Sequence, residues 1–267
     1  MPIHKHTTLE YGCVKIDKQM RDKTVLITGG SSGIGAAFAR HLAGEGARLV
    51  LVARNQARLA ALKSELGTAA EILPCDLSVP GAAATIHAAV GEIDLLINNA
   101  GYASFGAFGD SDLATQRGMI QVHIAALVEL THAYLPVLQA RRGGIIHVAS
   151  ISAFAPAPMM AVYAASKAFI LSFSEALAAE YQDRGVTVLA LCPGPTESEL
   201  FSRVGTPIPG TEIKASAESV VLDAMRAYRA KRSHVIPGWR NYLGVQGPRF
   251  LPRALVLRLM KQLNMPK

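Results

Sequence analysis

The stretch that most limits the architecture of this chain is Lys23-Thr-Val-Leu-Ile-Thr28 running into Gly29-Gly-Ser31-Ser32-Gly33-Ile34-Gly35. The short β-branched run reads as a buried strand, and the segment from about Gly35 to Gly44 reads as a helix. Glycine at 29, 33 and 35 permits a tight turn, close approach of backbone to a pyrophosphate, and close helix–strand packing. The helix N-terminus then offers unpaired N–H groups and a partial positive charge to an anion. An ordinary Gly/Ser-rich loop is the alternative, and the strand–loop–helix setting is what favours a phosphate cradle.

Short apolar runs recur at Arg48–Ala53, Ala70–Pro74, Ile93–Ile97, Gly144–Ala149 and Val186–Cys192, separated by helical segments. The stretch from Asp110 to Arg141 reads as largely helical, as does Ala161 to Tyr181. No linker interrupts this alternation, so the 267 residues, half of them hydrophobic, predict one α/β domain. Cys13, Cys75 and Cys192 are odd in number and lack metal spacing, which points to a reduced, cytoplasmic setting without a disulfide framework or a metal site. Residues 1–20 are polar and carry no signal-like apolar core. They read as an N-terminal arm, with His4 and His6 as a metal-binding alternative.

The chemistry concentrates between Ser150 and Lys167. Ser150 follows a buried strand, and Tyr163 and Lys167 stand one turn apart on one helix face. A free phenol titrates near about 10, too high to exchange protons readily at neutrality. An ammonium about 4 Å away, at an effective dielectric of ~20, would stabilise phenolate by up to roughly 4 kcal/mol, less whatever desolvation removes. Tyr163 would thus be drawn towards neutrality as a general acid or base, with Ser150 holding the substrate oxygen. A chance Tyr-x-x-x-Lys pair on a solvated helix is the plainer alternative.

Elsewhere, the second strand ends at Arg54, where a cation suits a 2′-phosphate and hence NADP(H), or is simply a solvated strand-end charge. Asp76, followed by Leu77, either receives an adenine amino group or caps a helix. Asn98-Asn99-Ala100-Gly101 follows the fourth strand, on the side where parallel sheets bind ligands.

Taken together, TGGSSGIG (28–35), NNAG (98–101), Ser150, YAASK (163–167) and PGPT (193–196) resemble the short-chain dehydrogenase/reductase family over roughly residues 21–240. The resemblance implies a Rossmann-type doubly wound parallel sheet with helices on both faces, and hydride transfer between NADP(H) and a carbonyl or alcohol. It implies catalytic roles for Ser150, Tyr163 and Lys167, the tyrosine donating the proton and the lysine also holding the nicotinamide ribose. Cofactor contacts are expected from Gly29, Ser31, Ser32, Gly33, Ile34, Gly35, Arg54, Asp76, Leu77, Asn99, Ala100, Gly101, Tyr163, Lys167, Pro193, Gly194 and Thr196. It also suggests a homodimer or homotetramer built on the helices at Asp110–Arg141 and Ala161–Tyr181. One departure stands out: where the family places an asparagine, this chain has His123. Either its backbone carbonyl does the asparagine's work or the proton relay is altered; a buried histidine satisfied by its neighbours is a third reading.

Ser150, Ser152, Phe154, Met159 and Tyr163, with Pro156, Met160 and the segment from Glu197 to Ile213, are expected to line a mostly apolar substrate cleft. Gly205 to Gly210 reads as a mobile lid or an ordinary connection. Residues 224–267 contain ten Lys/Arg and no Asp or Glu; the rest of the chain has seventeen basic against twenty acidic residues, net −3. Within that tail, taken as a C-terminal extension over 241–267, Pro252 to Leu263 fits a basic amphipathic helix. It either closes the domain or a subunit contact, or docks on an anionic membrane surface or an acidic carrier protein. No groove-reading motif supports nucleic-acid binding, and no apolar run reaches the ~18 residues of a spanning helix. Three functions compete: reduction or oxidation of an apolar carbonyl or alcohol, reduction of a 3-oxoacyl group on a carrier protein, and cofactor sensing with catalysis lost.

Overall fold

The computed structural model describes residues 20–197 and 214–264. Seven strands form one parallel sheet: β1 (Thr24–Thr28), β2 (Arg48–Ala53), β3 (Ala70–Pro74), β4 (Leu95–Asn98), β5 (Gly144–Val148), β6 (Thr187–Leu191) and β7 (His234–Val235). Their order is β3-β2-β1-β4-β5-β6-β7. Helices α1 (Gly33–Gly44), α2 (Gln56–Leu66) and α7 (Ala217–Arg229) cover one face, and α3 (Ala82–Val90), α5 (Ala126–Ala140) and α6 (Ala161–Tyr181) the other. Both faces are buried, which is why the strands are apolar throughout rather than alternating. Val25 and Ile27 pack towards Phe38, Leu59 and Val220, while Leu26 between them packs towards Ile86, Tyr134 and Leu177. Each such side chain contributes about 1.5–3 kcal/mol of burial.

The strand order turns around between β1 and β4, and that reversal opens a crevice at their carboxyl ends. The opposite end is pinned by Asp94, just before β4. Its buried carboxylate accepts from Lys23 Nζ (3.1 Å), the Thr24 N–H (2.9 Å) and Arg141 Nε (3.0 Å). Burial alone would raise its pKa; the bonds from Arg141, Thr24 and Lys23 reverse that and hold it below the usual carboxylate range.

β2, β3 and α6 fall on the bounds expected of them. The helical stretch after residue 110 is not one helix. It is α4 (Leu113–Ile120), a five-residue π-helical stretch over Gln121–Ala125, then α5. β7 and α8 (Trp239–Gln246) have no counterpart in the sequence reading, being too short to show a period. α9 (Arg253–Asn264) matches the expected amphipathic helix within a residue. The stretch Ala161–Arg184 is long and apolar enough to cross a bilayer, but it is the core helix α6 and its extension. The N-terminal arm, His4, His6 and the 205–210 segment lie outside the described residues.

Asp94→Asn is expected to lower the thermal midpoint by about 5 °C, since it removes the charge of a buried carboxylate that Lys23, Arg141 and the Thr24 N–H all address. Cofactor affinity should be unchanged, because the cluster lies at the far end of the sheet; calorimetry and a cofactor titration check both.

Candidate active site

At the crevice, the ends of β1 and β4 are stitched together. Thr28 Oγ1 accepts the N–H groups of Asn99 (3.0 Å) and Ala100 (3.1 Å). Asn99 Nδ2 donates back to the carbonyls of Thr28 (3.0 Å) and Gly29 (3.1 Å). The loop above is tight: a Cβ on Gly35 would lie 2.3 Å from the Gly29 carbonyl oxygen, and Gly29 itself has φ +64°. Ser32 caps α1 without a side-chain hydrogen bond, and no acidic residue occupies the first turn. The leading N–H groups of the helix are thus available to an anion.

Ser150 sits just past β5, and its Oγ accepts the Ser152 N–H at 3.1 Å. Tyr163 and Lys167 project from α6 and are buried, 3% and 5% exposed. Lys167 Nζ donates to the Val148 carbonyl at 2.8 Å and stands 5.7 Å from the Tyr163 ring centroid. Burial pushes the Tyr163 phenol up to about 12, with the Ser150 hydroxyl pulling the other way. Burial likewise lowers Lys167 to about 8. The direction is therefore the reverse of the acidified phenol expected: burial raises Tyr163, and the Ser150 hydroxyl opposes it only in part.

His123 is buried in the π-helical stretch, and its hydrogen bonds fix its tautomer. Ser166 Oγ donates to the Tyr163 carbonyl (2.7 Å), so it accepts from His123 Nδ1–H at 2.8 Å. Nε2 then accepts the Tyr102 N–H at 3.1 Å. Burial, and secondarily the Lys167 charge, hold the imidazole well below its ordinary pKa. The ring is a neutral bridge between the segment after β4 and the turn of α6 that carries Tyr163. Gly101 is required beside it, since a Cβ there would come within 2.7 Å of Nε2. Of the readings open for this position, the buried and satisfied histidine is the one the geometry matches.

The glycine-rich loop, Asn99 to Tyr102, Ser150, Tyr163 and Lys167 border one cleft of about 400 Å³. The profile of the short chain dehydrogenases matches residues 23–208. The chain belongs to the short-chain dehydrogenase family. A short chain dehydrogenase of Pseudocercospora fijiensis is 37% identical over 218 residues, 78% of this chain and 69% of that protein. The ketoacyl reductase HetN of Nostoc is 35% identical over 217 residues, 76% and 75% of the two chains. A short-chain dehydrogenase from Sphingobium yanoikuyae, solved in complex with NADPH, is 32% identical, with a TM-score of 0.77 over 92% of this chain and 97% of that one.

As a short-chain dehydrogenase the protein is an oxidoreductase with a nicotinamide cofactor, and the glycine cradle with its uncapped helix fits such a group. Of the residues expected to hold it, Gly29, Ser31, Ser32, Gly33, Ile34, Arg54, Asp76, Leu77, Asn99, Ala100, Gly101, Tyr163, Lys167, Pro193, Gly194 and Thr196 border the cleft. Gly35 does not; it provides clearance beneath the loop. Of the expected substrate contacts, Ser150, Ser152 and Tyr163 border it, and Phe154 and Met159 are not among its lining residues. Phe154 packs on the apolar cluster around Ala149 and Ile170. Met159 takes a left-handed backbone (φ 67°) with its carbonyl bonded to the Gly106 N–H, and Met160 faces the cleft instead. Arg58, Tyr102, Met260 and Asn264 also border the cleft. Asn55 caps α2 by accepting the Arg58 N–H, which sets Arg58 in the first turn of that helix. Nothing local signals Met260 and Asn264, which arrive from the far end of the chain.

His123→Asn is expected to keep kcat within about tenfold; a loss on the order of a hundredfold would make the imidazole a participant in proton transfer. The same variant tests the neutral bridge. The native ring stays unprotonated while the unfolded one binds a proton below its ordinary pKa of 6.5, so wild-type stability falls as pH drops through that range. Removing the ring should flatten that fall by about 1.4 kcal/mol per pH unit, measured by denaturant melts.

Proposed function

We propose that this short-chain dehydrogenase exchanges hydride between NADP(H) and an apolar ketone, aldehyde or secondary alcohol, with Tyr163 as general acid/base. The observation that carries the reading is the convergence of Ser150, Tyr163 and Lys167 on the cleft that also holds the glycine-rich loop. The nicotinamide, when bound, supplies or accepts the hydride at the substrate carbon. In reduction, the Ser150 hydroxyl holds the carbonyl oxygen and Tyr163 gives it the phenolic proton, leaving the alcohol; oxidation reverses both transfers. A phenol kept protonated by burial suits the donor's part. Lys167, anchored on the Val148 carbonyl, offsets the phenolate left behind.

Arg54 and Arg58 border the same cleft as Ser31 and Ser32, which supports a 2′-phosphate there. Asp76, 4.0 Å from Arg54, competes for one of these cations. The NADPH held by the Sphingobium relative points the same way. Ala155, Ala157, Met160 and Met260 give the cleft apolar walls, which supports an apolar substrate. This reading keeps a cytoplasmic setting, a homodimer or homotetramer built on α5 and α6, and residues 241–267 as an extension of the catalytic domain. A 3-oxoacyl carrier-protein substrate is the second reading, favoured by the ketoacyl reductase relative and the basic tail. Faster turnover of carrier-linked than of free ketones would select it.

Because burial lowers Lys167 to about 8, kcat/KM for reduction should hold steady near neutrality and fall above about pH 8 as the ammonium is lost. A flat profile well beyond that pH would remove the ammonium from the mechanism. Arg54→Ala is expected to raise KM for NADPH by about tenfold or more while leaving NADH unaffected. Equal use of NADH and NADPH by the wild type across ketones of graded chain length would refute the NADP(H) assignment.

A further inference from the structure

α8, the turn that follows it and α9 form a surface unlike the rest of the molecule. Nine of the fifteen large apolar side chains that stand exposed among the described residues lie between Trp239 and Leu263. On α8, Trp239, Tyr242 and Leu243 share one outward face, and Phe250 in the turn is 85% exposed. On α9, Val256, Met260 and Asn264 face inwards, while Leu255, Leu259 and Leu263 form a neighbouring row left in solvent. Arg240, Arg249, Arg253, Arg258 and Lys261 are interspersed, and residues 239–264 contain no acidic side chain.

We propose that this surface docks on an anionic lipid bilayer and that α9 is the wall through which an apolar substrate passes from that bilayer into the cleft. Apolar and aromatic side chains ringed by cations match the headgroup boundary of an acidic membrane in both hydrophobicity and sign. A twelve-residue helix is about 18 Å long, too short for a hydrocarbon core of about 30 Å, so it lies in the interface rather than across it. A second copy is a poorer occupant, because a two-fold contact would set the five cations against themselves. The link to the reaction is Met260 and Asn264, which border the same cleft as Tyr163 from the inner side of that helix. The substrate part of the proposal rests on the apolar carbonyl or alcohol proposed above; the docking part does not.

Trp239 is the sole tryptophan of the chain and 69% exposed, so its fluorescence reports on this surface directly. The intact protein is titrated with vesicles of phosphatidylcholine alone and of phosphatidylcholine with phosphatidylserine, alongside flotation. A blue shift and flotation only with phosphatidylserine, weakened by salt, are expected. Arg253→Gln, Arg258→Gln and Lys261→Gln should each weaken partition by about fivefold, and Phe250→Ser should weaken it as well. Turnover of a water-soluble ketone, measured on the same samples, should be unchanged by all four. No shift on acidic vesicles, equal partition to both compositions, or a blue shift with an acidic carrier protein but not with vesicles overturns the docking. So does a solution oligomer that Phe250→Ser dissociates. Loss of ketone turnover in the wild type overturns the catalytic reading while leaving the docking to stand on the vesicle data.

Discussion

Lys167 is a cation taken almost wholly out of water with no carboxylate paired to it among the described residues, and its ammonium rests on the Val148 carbonyl at 2.8 Å. The thiol of Cys192 brings no charge to it, since burial pushes that thiol up to about 12. A carbonyl dipole alone offsets desolvation only in part, which is why the lysine loses its proton more easily than a solvated one. The contact ties α6 to the end of β5. Tyr163, one turn earlier on that helix, has its position set against Ser150 by the same bond.

A second anchor holds the other side of the crevice. The segment from Asn99 to Tyr102 is bonded to Thr28 of β1 and, through His123, to Ser166 on α6. The glycine-rich side of the crevice and α6 are therefore joined by Thr28, His123 and Ser166, buried side chains whose donors and acceptors are matched. His123 serves in this lattice as a neutral spacer whose two nitrogens take opposite roles. The π-helical stretch sets it there, in keeping with the use of such stretches at functional sites.

Much of this was legible in the order of residues. The β-branched runs marked β1 to β6 because a parallel sheet covered on both faces needs apolar side chains at every strand position. The glycines of the turn into α1 marked the cradle because no side chain on Gly35 fits against the Gly29 carbonyl. Tyr163 and Lys167 were paired by helical spacing alone. Spacing did not reveal how much protein surrounds the phenol, and that burial is what raises its pKa. The turn through the left-handed Met159 sets Met160 rather than Met159 on the cleft, and spacing along the chain did not show that turn.

The sequence by itself determined the fold class, and it marked the glycine-rich turn and the candidate pair Tyr163 and Lys167, because each follows from local periodicity or from a backbone only glycine can adopt. The tertiary structure alone decided the tautomer of His123, the burial that raises Tyr163, and the arrival of α9 beside the cleft. These depend on what lies next to a residue across the sheet or from the far end of the chain. Desolvation and hydrogen-bond partnership are properties of that neighbourhood, and no spacing along the chain encodes them.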